Sequence, residues 1–274
     1  MIAVLITVFN RKEETLRCLG ALELATVKIE EPLHVFLVDD ASSDGTTAAV
    51  KDAFPNVTLI PGDGKCYWNG GMRLAWETAK NTGDYDYYLW LNNDSYLFEE
   101  SLSTLLQYAK STQDEAILCA QTISEKTGKR SYGGWRRGNL PLLFEDGVAP
   151  CDIINGNCVL VPRQVFEQVG LLDPNYKHAL GDHDYGLRAS EKGICSLVIE
   201  QPLAYCEANP RPPLWCQQEQ PLGKRIKNLY SPLANSHPKY YFIYERRHYG
   251  MKIACFHFLT IHLRVLLPQL WKNQ

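Results

Sequence analysis

Three clusters of acidic and amide side chains have the chemical types needed for binding or catalysis. Asn92-Asn93-Asp94 and Asp39-Asp40 each come directly after an apolar run that predicts a β-strand, and Asp182 and Asp184 stand at a predicted helix start. Carboxylate oxygens at a strand end can hold a hard divalent cation or accept hydrogen bonds from hydroxyl and base N–H groups. A carboxylate that faces a hydroxyl can act as a general base. The clusters are therefore candidates for metal binding, ligand recognition and proton transfer.

Each cluster also has a purely structural explanation. Asn and Asp favour turns, polar side chains after a strand can cap the next helix, and negative charge is favourable at a helix N-terminus. The last explanation suits Asp184 better than Asp182. Asn155-Gly156 indicates either a turn or a place where the backbone approaches a ligand closely. Taken singly, the clusters leave both interpretations open.

An alternation of strands and helices positions the first two clusters. Continuous apolar, β-branched runs predict buried parallel strands. Their order predicts an α/β fold, with a Rossmann-like, doubly wound, mostly parallel sheet flanked by helices. Ligands of such sheets bind outside the carboxyl ends of the strands, where the clusters fall. The strands are predicted over 2–8, 35–38, 57–60 and 87–91, with a glycine-rich loop over 62–71 and a helix over 72–79.

The second half of the chain is less regular. Its loop over 133–147 contains Trp135 beside two arginines, a combination that suits stacking on a sugar face or simply a half-buried surface loop. The proline-rich stretch 209–213 predicts the end of the compact domain. The further elements predicted are strands over 117–120 and 159–161 and helices over 163–169 and 179–192. We predict a domain over 1–220, with halves at about 1–115 and 116–220, and a helical extension over 221–274.

The overall composition excludes several classes of protein. The 274 residues are 45% apolar and 22% charged, with a net charge of -3, which is typical of a globular protein and not of a disordered one. The nine cysteines form no Cys-x-x-Cys pair, which argues against a zinc ribbon. Their odd number, in a chain this long, argues against a disulfide framework, so we predict a reducing compartment, the cytoplasm. No stretch reaches the roughly 18 apolar residues of a membrane span, and we expect no signal peptide.

The charge is divided unevenly along the chain. Residues 222–274 contain nine basic residues and one acidic residue, so they carry +8 and the remainder carries -11. No basic patch accompanies the three clusters, so we predict no nucleic-acid partner. Basic residues beside aromatic and aliphatic ones suit an amphipathic helix on an anionic membrane surface. Packing on the domain or on a second subunit is the alternative.

Taken together, the polar clusters and the residues around them resemble segments of the family 2 glycosyltransferases with the GT-A fold, over about residues 1–205. The most specific segment is Asp39-Asp40-Ala41-Ser42-Ser43-Asp44-Gly45-Thr46. Within the family, the chain looks most like bacterial rhamnosyltransferase-like members that build surface polysaccharides. The other matching segments are Thr7-Val8-Phe9-Asn10-Arg11, Asn69-Gly70-Gly71-Met72, Asn92-Asn93-Asp94, Ile154-Asn155-Gly156-Asn157 and Gly181-Asp182-His183-Asp184-Tyr185-Gly186-Leu187-Arg188.

The resemblance implies a nucleotide site and a metal site. Phe9 is expected to pack on the base, and Asp40, with Asp39, to recognise it. Asn92-Asn93-Asp94 takes the place of the family's Asp-x-Asp motif, so Asn92 brings no charge and Asp94 is the main ligand for Mg2+ or Mn2+. Water and diphosphate oxygens then complete the coordination. The residues implied to bind nucleotide are Thr7, Phe9, Arg11, Asp39, Asp40, Lys65, Asn69, Asn92 and Asn93.

The resemblance also implies a reaction. Asp182 matches the catalytic base and Asp184 the second acid, while the family's Glu falls on Gly181. The implied activity is inverting transfer from a UDP- or dTDP-sugar to a glycan hydroxyl, on an acceptor that is often lipid-linked in related bacterial enzymes. That acceptor would place the protein at the inner face of the cytoplasmic membrane. The residues expected at the sugar or acceptor are Trp135, Asn155, Gly156 and Asp184.

Two other functions are considered. A sugar-nucleotide binding protein without catalysis would account for the departures at Asn92 and Gly181. A nucleotidyltransferase would need a glycine-rich loop directly after the first strand to grip a triphosphate. That position holds Phe9-Asn10-Arg11-Lys12-Glu13, which contains no glycine, so the nucleotidyltransferase is disfavoured. A dinucleotide oxidoreductase is disfavoured as well, because its Gly-x-Gly-x-x-Gly motif is absent there.

Overall fold

The computed structural model describes residues 1–209 and 213–270. Residues 210–212 of the proline-rich stretch lie outside this described part. The chain forms two compact units. The first, here called the sheet unit, consists of Met1–Pro174 and Asp182–Ala208. The second, here called the helical unit, consists of Asn175–Gly181 and the described residues from Asn209 onward.

The sheet unit contains one mixed sheet in the order β3-β2-β1-β4-β9-β6-β10-β5, with β7 beside β6 and β8 beside β10. The half formed by β3, β2, β1 and β4 is parallel. Strand β9 then enters antiparallel to both β4 and β6, and β10 runs parallel to β6. The strands are β1 (Ile2–Val8), β2 (Leu33–Asp39), β3 (Thr58–Pro61), β4 (Tyr87–Leu91), β5 (Tyr96–Leu97), β6 (Ile117–Ile123), β7 (Arg130–Tyr132), β8 (Val148–Cys151), β9 (Cys158–Pro162) and β10 (Ser196–Tyr205).

Helices cover both faces of this sheet. Side chains alternate along a strand, so β1 sends Val4 to the core with Leu19 of helix α1 and Leu5 to the core with Trp76 of helix α3. The α/β prediction with flanking helices is therefore confirmed. The helices are α1 (Lys12–Thr26), α2 (Thr46–Ala53), α3 (Tyr67–Thr82), α4 (Ser101–Ser111), α5 (Arg163–Val169), α6 (Gly181–Glu191), α7 (Leu222–Leu229), α8 (Pro238–His248) and α9 (Met251–Leu266).

Helix α3 begins earlier than its apolar pattern predicts. It starts at Tyr67, so Gly70 and Gly71 are helical residues and not part of a loop. A Cβ on Gly71 would lie 2.1 Å from Thr7 Oγ1 on β1. Glycine at this position therefore lets α3 pack directly against the carboxyl end of β1, at the edge where the candidate site lies.

Candidate functional site

Three neighbouring parallel strands end at the same edge of the sheet. Strand β1 lies between β2 and β4, and Val8 at the end of β1 is in register with Asp39 of β2. Two of the predicted clusters and the segment after β1 therefore meet at this edge. A side-chain contact joins the segment after β1 to the segment after β4, because Arg11 Nη1 donates a hydrogen bond to Asp94 Oδ2.

Asp39 shapes the loop after β2. It is buried, and its Oδ1 accepts a hydrogen bond from the backbone N–H of Ser42 at 2.8 Å. Its Oδ2 accepts a hydrogen bond from the Thr47 hydroxyl at the start of α2. Asn10 supports the same loop, since its Oδ1 accepts from the Ser43 N–H at 2.7 Å. These contacts are structural, and nucleotide recognition by Asp39 stays a prediction.

Asp40 organises the next loop along the edge. Its buried carboxylate accepts three backbone hydrogen bonds, from Gly64 at 2.8 Å, Cys66 at 3.1 Å and Tyr67 at 3.0 Å. Backbone N–H groups at a helix start lack partners within the helix, so these bonds also explain why α3 begins at Tyr67. The exposed Lys65 lies in this loop. Asp40 thus shapes the segment that we predict to approach the nucleotide.

Phe9 and Asn69 lie in contrasting environments. Phe9 is 56% exposed directly after β1, so its ring is available for stacking at the sheet edge. Asn69 is fully buried on α3, and its Nδ2 donates to the backbone oxygen of Asp173 at 2.9 Å. This burial favours a supporting role for Asn69.

The three residues after β4 have different neighbours. Asn92 Oδ1 accepts a hydrogen bond from the indole Nε1 of Trp68 at 2.6 Å. Asn93 is buried and its Nδ2 donates to Thr15 Oγ1 at 3.1 Å. Asp94 keeps 35% of its side chain exposed and supplies the negative charge of the segment. Asp94 is therefore the accessible carboxylate of the segment after β4.

Cys206 is a neighbour of Asp94 that no sequence pattern indicated. Its thiol donates to Asp94 Oδ1 at 3.9 Å and accepts from Asn157 Nδ2 at 3.1 Å. Burial, together with the charge of Asp94, raises the pKa of the Cys206 thiol to about 11. The thiol is therefore neutral at pH 7 and adds no negative charge beside Asp94.

Asp182 is held by two backbone N–H groups. Gly156 donates to its Oδ2 at 2.8 Å and His183 donates to its Oδ1 at 2.9 Å. Gly156 in turn packs on Trp68, because a Cβ on this glycine would lie 2.4 Å from Trp68 Cζ2. A continuous series of contacts therefore joins Asn92 to Trp68, Gly156 and the carboxylate of Asp182. Sequence reasoning missed Trp68, whose one signal was an aromatic residue within the glycine-rich loop predicted over 62–71.

Trp135 lies beside His183, the residue that follows the predicted catalytic base Asp182. Its ring meets that of His183 edge to face, with ring centres 5.0 Å apart. Trp135 also joins a short bridge to Ile153, where its N–H donates to the Ile153 oxygen at 2.9 Å. Its side chain is 37% exposed. The structure thus brings a partly exposed aromatic surface close to Asp182.

The side chains of Asp184 and Asn155 differ in their hydrogen bonding. Asp184 is fully buried, and its Oδ2 accepts from Arg188 Nε at 2.8 Å. Arg188 also donates to the backbone oxygens of Val169 and Leu171. Asp184 therefore suits a positioning role better than direct contact with an acceptor. Asn155 Oδ1 is buried and accepts no hydrogen bond from the described residues.

Another potential metal-ligating group of residues occurs at the same edge. Within the described residues, Asp40, Asp63 and Cys66 bring their ligand atoms within 4.8 Å of one another. The carboxylate of Asp40 already accepts three N–H groups, and burial raises the pKa of the Cys66 thiol to about 11. Because the Asp40 carboxylate is already engaged by these three backbone groups, the arrangement favours a role in shaping the loop over one as a metal site.

We expect Gly156→Ala to destabilise the protein, because the added methyl group would overlap the Trp68 ring. Overpacking of this kind costs about 1–3 kcal/mol. Urea unfolding followed by circular dichroism measures the change. Gly20→Ala is the matched control, since a Cβ there meets nothing within 4 Å on helix α1, and it should leave stability unchanged or raise it by about 0.5–1 kcal/mol. Equal stability of both variants would contradict the packing described.

The chain belongs to glycosyltransferase family 2, whose sequence model, described as Glycosyl transferase family 2, matches residues 3–170. It is 28% identical over 213 residues to the N-acetylglucosaminyl-diphospho-decaprenol L-rhamnosyltransferase of Mycobacterium tuberculosis, covering 67% of this chain and 68% of that protein. It is 21% identical over 202 residues to an uncharacterized glycosyltransferase of Rickettsia typhi, covering 68% of this chain and 57% of the other. The predicted family and its rhamnosyltransferase-like character are confirmed.

Solved structures show the same fold. A mannosyltransferase from Pyrobaculum calidifontis, solved with GDP-Man and Mn2+, aligns with a TM-score of 0.56 at 14% identity, covering 100% of this chain and 76% of that one. The S. aureus TarS 1-349 structure with UDP-GlcNAc aligns with a TM-score of 0.58 at 11% identity, covering 97% and 81%. The GT-A fold prediction is confirmed.

Proposed function

We propose that this chain transfers a sugar from a UDP- or dTDP-sugar to a glycan hydroxyl with inversion, and that Asp182 is the base. The observation that carries the proposal is the series of contacts from Asn92 through Trp68 and Gly156 to Asp182. It links the strand edge suited to a nucleotide with a carboxylate suited to proton transfer. We assign this activity to residues 1–220 and treat 221–274 as an extension.

The donor would lie along the edge formed by β2, β1 and β4. Phe9 offers an exposed ring for the base, and the loop held by Asp40 brings Lys65 to the same edge. Arg11 and Lys65 supply positive charge for a diphosphate, since guanidinium and ammonium groups bind phosphate oxygens well. Each of these assignments is a proposal for the nucleotide.

Asp94 fits a divalent cation that keeps most of its ligands from the substrate. Asp94 is the one carboxylate of the segment after β4 and is 35% exposed, whereas Asn92 Oδ1 already accepts from Trp68. Mg2+ is commonly bound through one or two carboxylates together with water and substrate phosphates. Asp94 would hold Mg2+ or Mn2+ with the diphosphate, and the bound ion would neutralise charge on the leaving group. The guanidinium of Arg11 donates to Asp94 Oδ2 and so balances the charge of this carboxylate.

The reaction is a single displacement at the anomeric carbon of the donor sugar. Asp182 accepts the proton of the acceptor hydroxyl, and the acceptor oxygen forms a bond to the anomeric carbon. The bond from that carbon to the diphosphate oxygen breaks, and its electron pair leaves with the nucleoside diphosphate. The N–H groups of Gly156 and His183 orient the carboxylate for this step.

The similarity to the mycobacterial rhamnosyltransferase favours a rhamnosyl group as the sugar and a lipid diphosphate-linked glycan as the acceptor. Trp135 would stack on a sugar of that acceptor, since it presents a partly exposed ring beside His183. The biological role we propose is surface polysaccharide synthesis at the inner face of the cytoplasmic membrane.

A donor screen tests this function. Purified protein is incubated with UDP- and dTDP-sugars, with Mg2+ or Mn2+, and release of free nucleoside diphosphate is measured with and without a lipid-linked N-acetylglucosamine acceptor. We expect turnover of one donor that stops when EDTA removes the metal. A donor that binds with metal but is never consumed, even with acceptor present, would favour the non-catalytic binding protein instead.

Trp68→Phe tests the link between the proposed donor site at Asn92 and the proposed catalytic base Asp182. The variant removes the N–H that holds Asn92 Oδ1, and an unsatisfied acceptor of this kind costs about 1–3 kcal/mol. We expect the donor KM to rise more than kcat falls. Trp76→Phe serves as the control, because it removes the same ring atoms from an indole whose buried N–H has no hydrogen-bond partner among the described residues, and it should leave the donor KM unchanged. Wild-type donor KM in Trp68→Phe would contradict the role proposed for the Trp68 indole.

A further inference from the structure

The described surface of residues 222–270 carries no exposed carboxylate. Glu245 is the one acidic side chain in the sequence from 222 to 274, and it is buried, with Oε2 3.1 Å from His257 Nδ1. Arg225 is also buried, and Lys272 lies outside the described residues. The remaining basic side chains are all exposed. They are Lys224, Lys227, Lys239, Arg246, Arg247, Lys252 and Arg264.

Helix α9 has two apolar faces. One face is internal to the helical unit, where Ile261 and Val265 pack with Leu229 of α7 and with Trp215. The buried guanidinium of Arg225 donates to the backbone oxygen of Val265 at 3.1 Å and so fixes the end of α9. The internal contacts therefore set which side of α9 faces outward.

The outer face of α9 is also apolar. Phe256, Leu259, Leu263 and Leu266 follow one another at intervals of three or four residues, so they form one stripe along the helix. They are 60%, 68%, 47% and 54% exposed. We call this row the α9 stripe. Contiguous exposed apolar surface in a globular protein marks an interaction site.

We propose that the α9 stripe, together with the exposed basic side chains of residues 222–270, docks on an anionic phospholipid bilayer. On α9 itself, Lys252 lies one turn before Phe256 and Arg264 follows Leu263. Exposed apolar side chains on a segment whose exposed charges, within described residues 222–270, are all basic match the chemistry of acyl chains below phosphate headgroups. None of the helices in the described part of the chain has the length and apolarity to cross a bilayer, so the helix would lie in the interface. This inference deepens the proposed function and rests on it only for the location of a lipid-linked acceptor.

Vesicle co-sedimentation of the full chain tests the proposal without any nucleotide or turnover. We expect binding to phosphatidylcholine vesicles that contain phosphatidylglycerol, weaker binding to phosphatidylcholine alone, and a loss of binding as salt screens the charges. Phe256→Gln with Leu259→Gln should weaken binding by about tenfold or more, because two large apolar anchors are lost. Circular dichroism and thermal unfolding confirm that the variant is folded.

The matched control removes two exposed apolar side chains elsewhere. Leu24→Gln with Val27→Gln, at positions 60% and 78% exposed at the end of α1, should leave vesicle binding unchanged. Equal binding by the two double variants, or no binding of the wild type to anionic vesicles, overturns the proposal. So does a wild-type dimer in sedimentation velocity that only the α9 double variant disrupts, since the stripe would then contact a second copy.

The two proposals fail in distinguishable ways. A chain that binds anionic vesicles but transfers no sugar contradicts the proposed activity and leaves the docking surface standing. A chain that releases nucleoside diphosphate from a donor but binds no vesicle contradicts the surface alone. The Asp182→Asn variant should bind vesicles as the wild type does, because Asp182 lies in the sheet unit.

Discussion

Asp182→Asn is expected to lower turnover by about 10² to 10⁴-fold while donor binding is retained. A positioned general base contributes a factor of this size. Asparagine keeps the shape of the side chain, and its amide oxygen can still accept from Gly156 or His183, but it cannot take the acceptor proton. Initial rates of nucleoside diphosphate release measure kcat, and calorimetric titration with the donor measures binding.

Asp152→Asn is the matched control for this experiment. Asp152 directly follows β8, and its Oδ2 accepts a hydrogen bond from the Arg137 N–H at 2.8 Å. Turnover by Asp152→Asn should stay close to the wild-type value. Full turnover by Asp182→Asn would show that another group takes the proton. A loss of donor binding and of thermal stability in Asp182→Asn would instead assign it a structural role.

Asp94→Ala is expected to abolish the dependence of donor binding on Mg2+ or Mn2+ and to lower kcat/KM by about 10²-fold or more. Stabilisation of leaving-group charge by a bound metal contributes several kcal/mol, and each 1.36 kcal/mol corresponds to a factor of ten in rate. The variant also frees Arg11, whose guanidinium pairs with Asp94. Titration of donor with metal, and again after chelation by EDTA, separates the two contributions.

Asp63→Asn controls for the loss of any acidic side chain at this edge. Asp63 is exposed and its Oδ1 accepts from the Lys65 N–H at 2.8 Å. We expect metal dependence to survive in this variant. The reverse result, with metal dependence lost in Asp63→Asn and kept in Asp94→Ala, would move the metal to the group formed by Asp40, Asp63 and Cys66.

Strand positions were predictable because burial on both faces leaves a local signature. The apolar run over 2–8 corresponds to β1 (Ile2–Val8), and the run over 87–91 corresponds to β4 (Tyr87–Leu91). The direction of β9 was not predictable in this way. A short apolar run pairs equally well in either direction, and its neighbours β4 and β6 come from distant parts of the chain.

The start of α3 shows the same limit at a helix end. Its apolar periodicity begins at Met72, whereas the helix begins at Tyr67. The difference arises because Asp40, far back in the sequence, accepts the N–H groups of Cys66 and Tyr67. A helix terminus that is satisfied by a remote side chain leaves no capping signal among its own residues.

By itself, the sequence determined the α/β class, the family and the edge of the sheet at which polar side chains gather. These follow from local patterns, since strand order sends residues after parallel strands to one edge. Only the tertiary structure decided which oxygens are engaged: it placed Trp68 on Asn92, Cys206 beside Asp94, and Gly156 against Asp182. Such partners are distant in sequence, and packing alone brings them within hydrogen-bond distance.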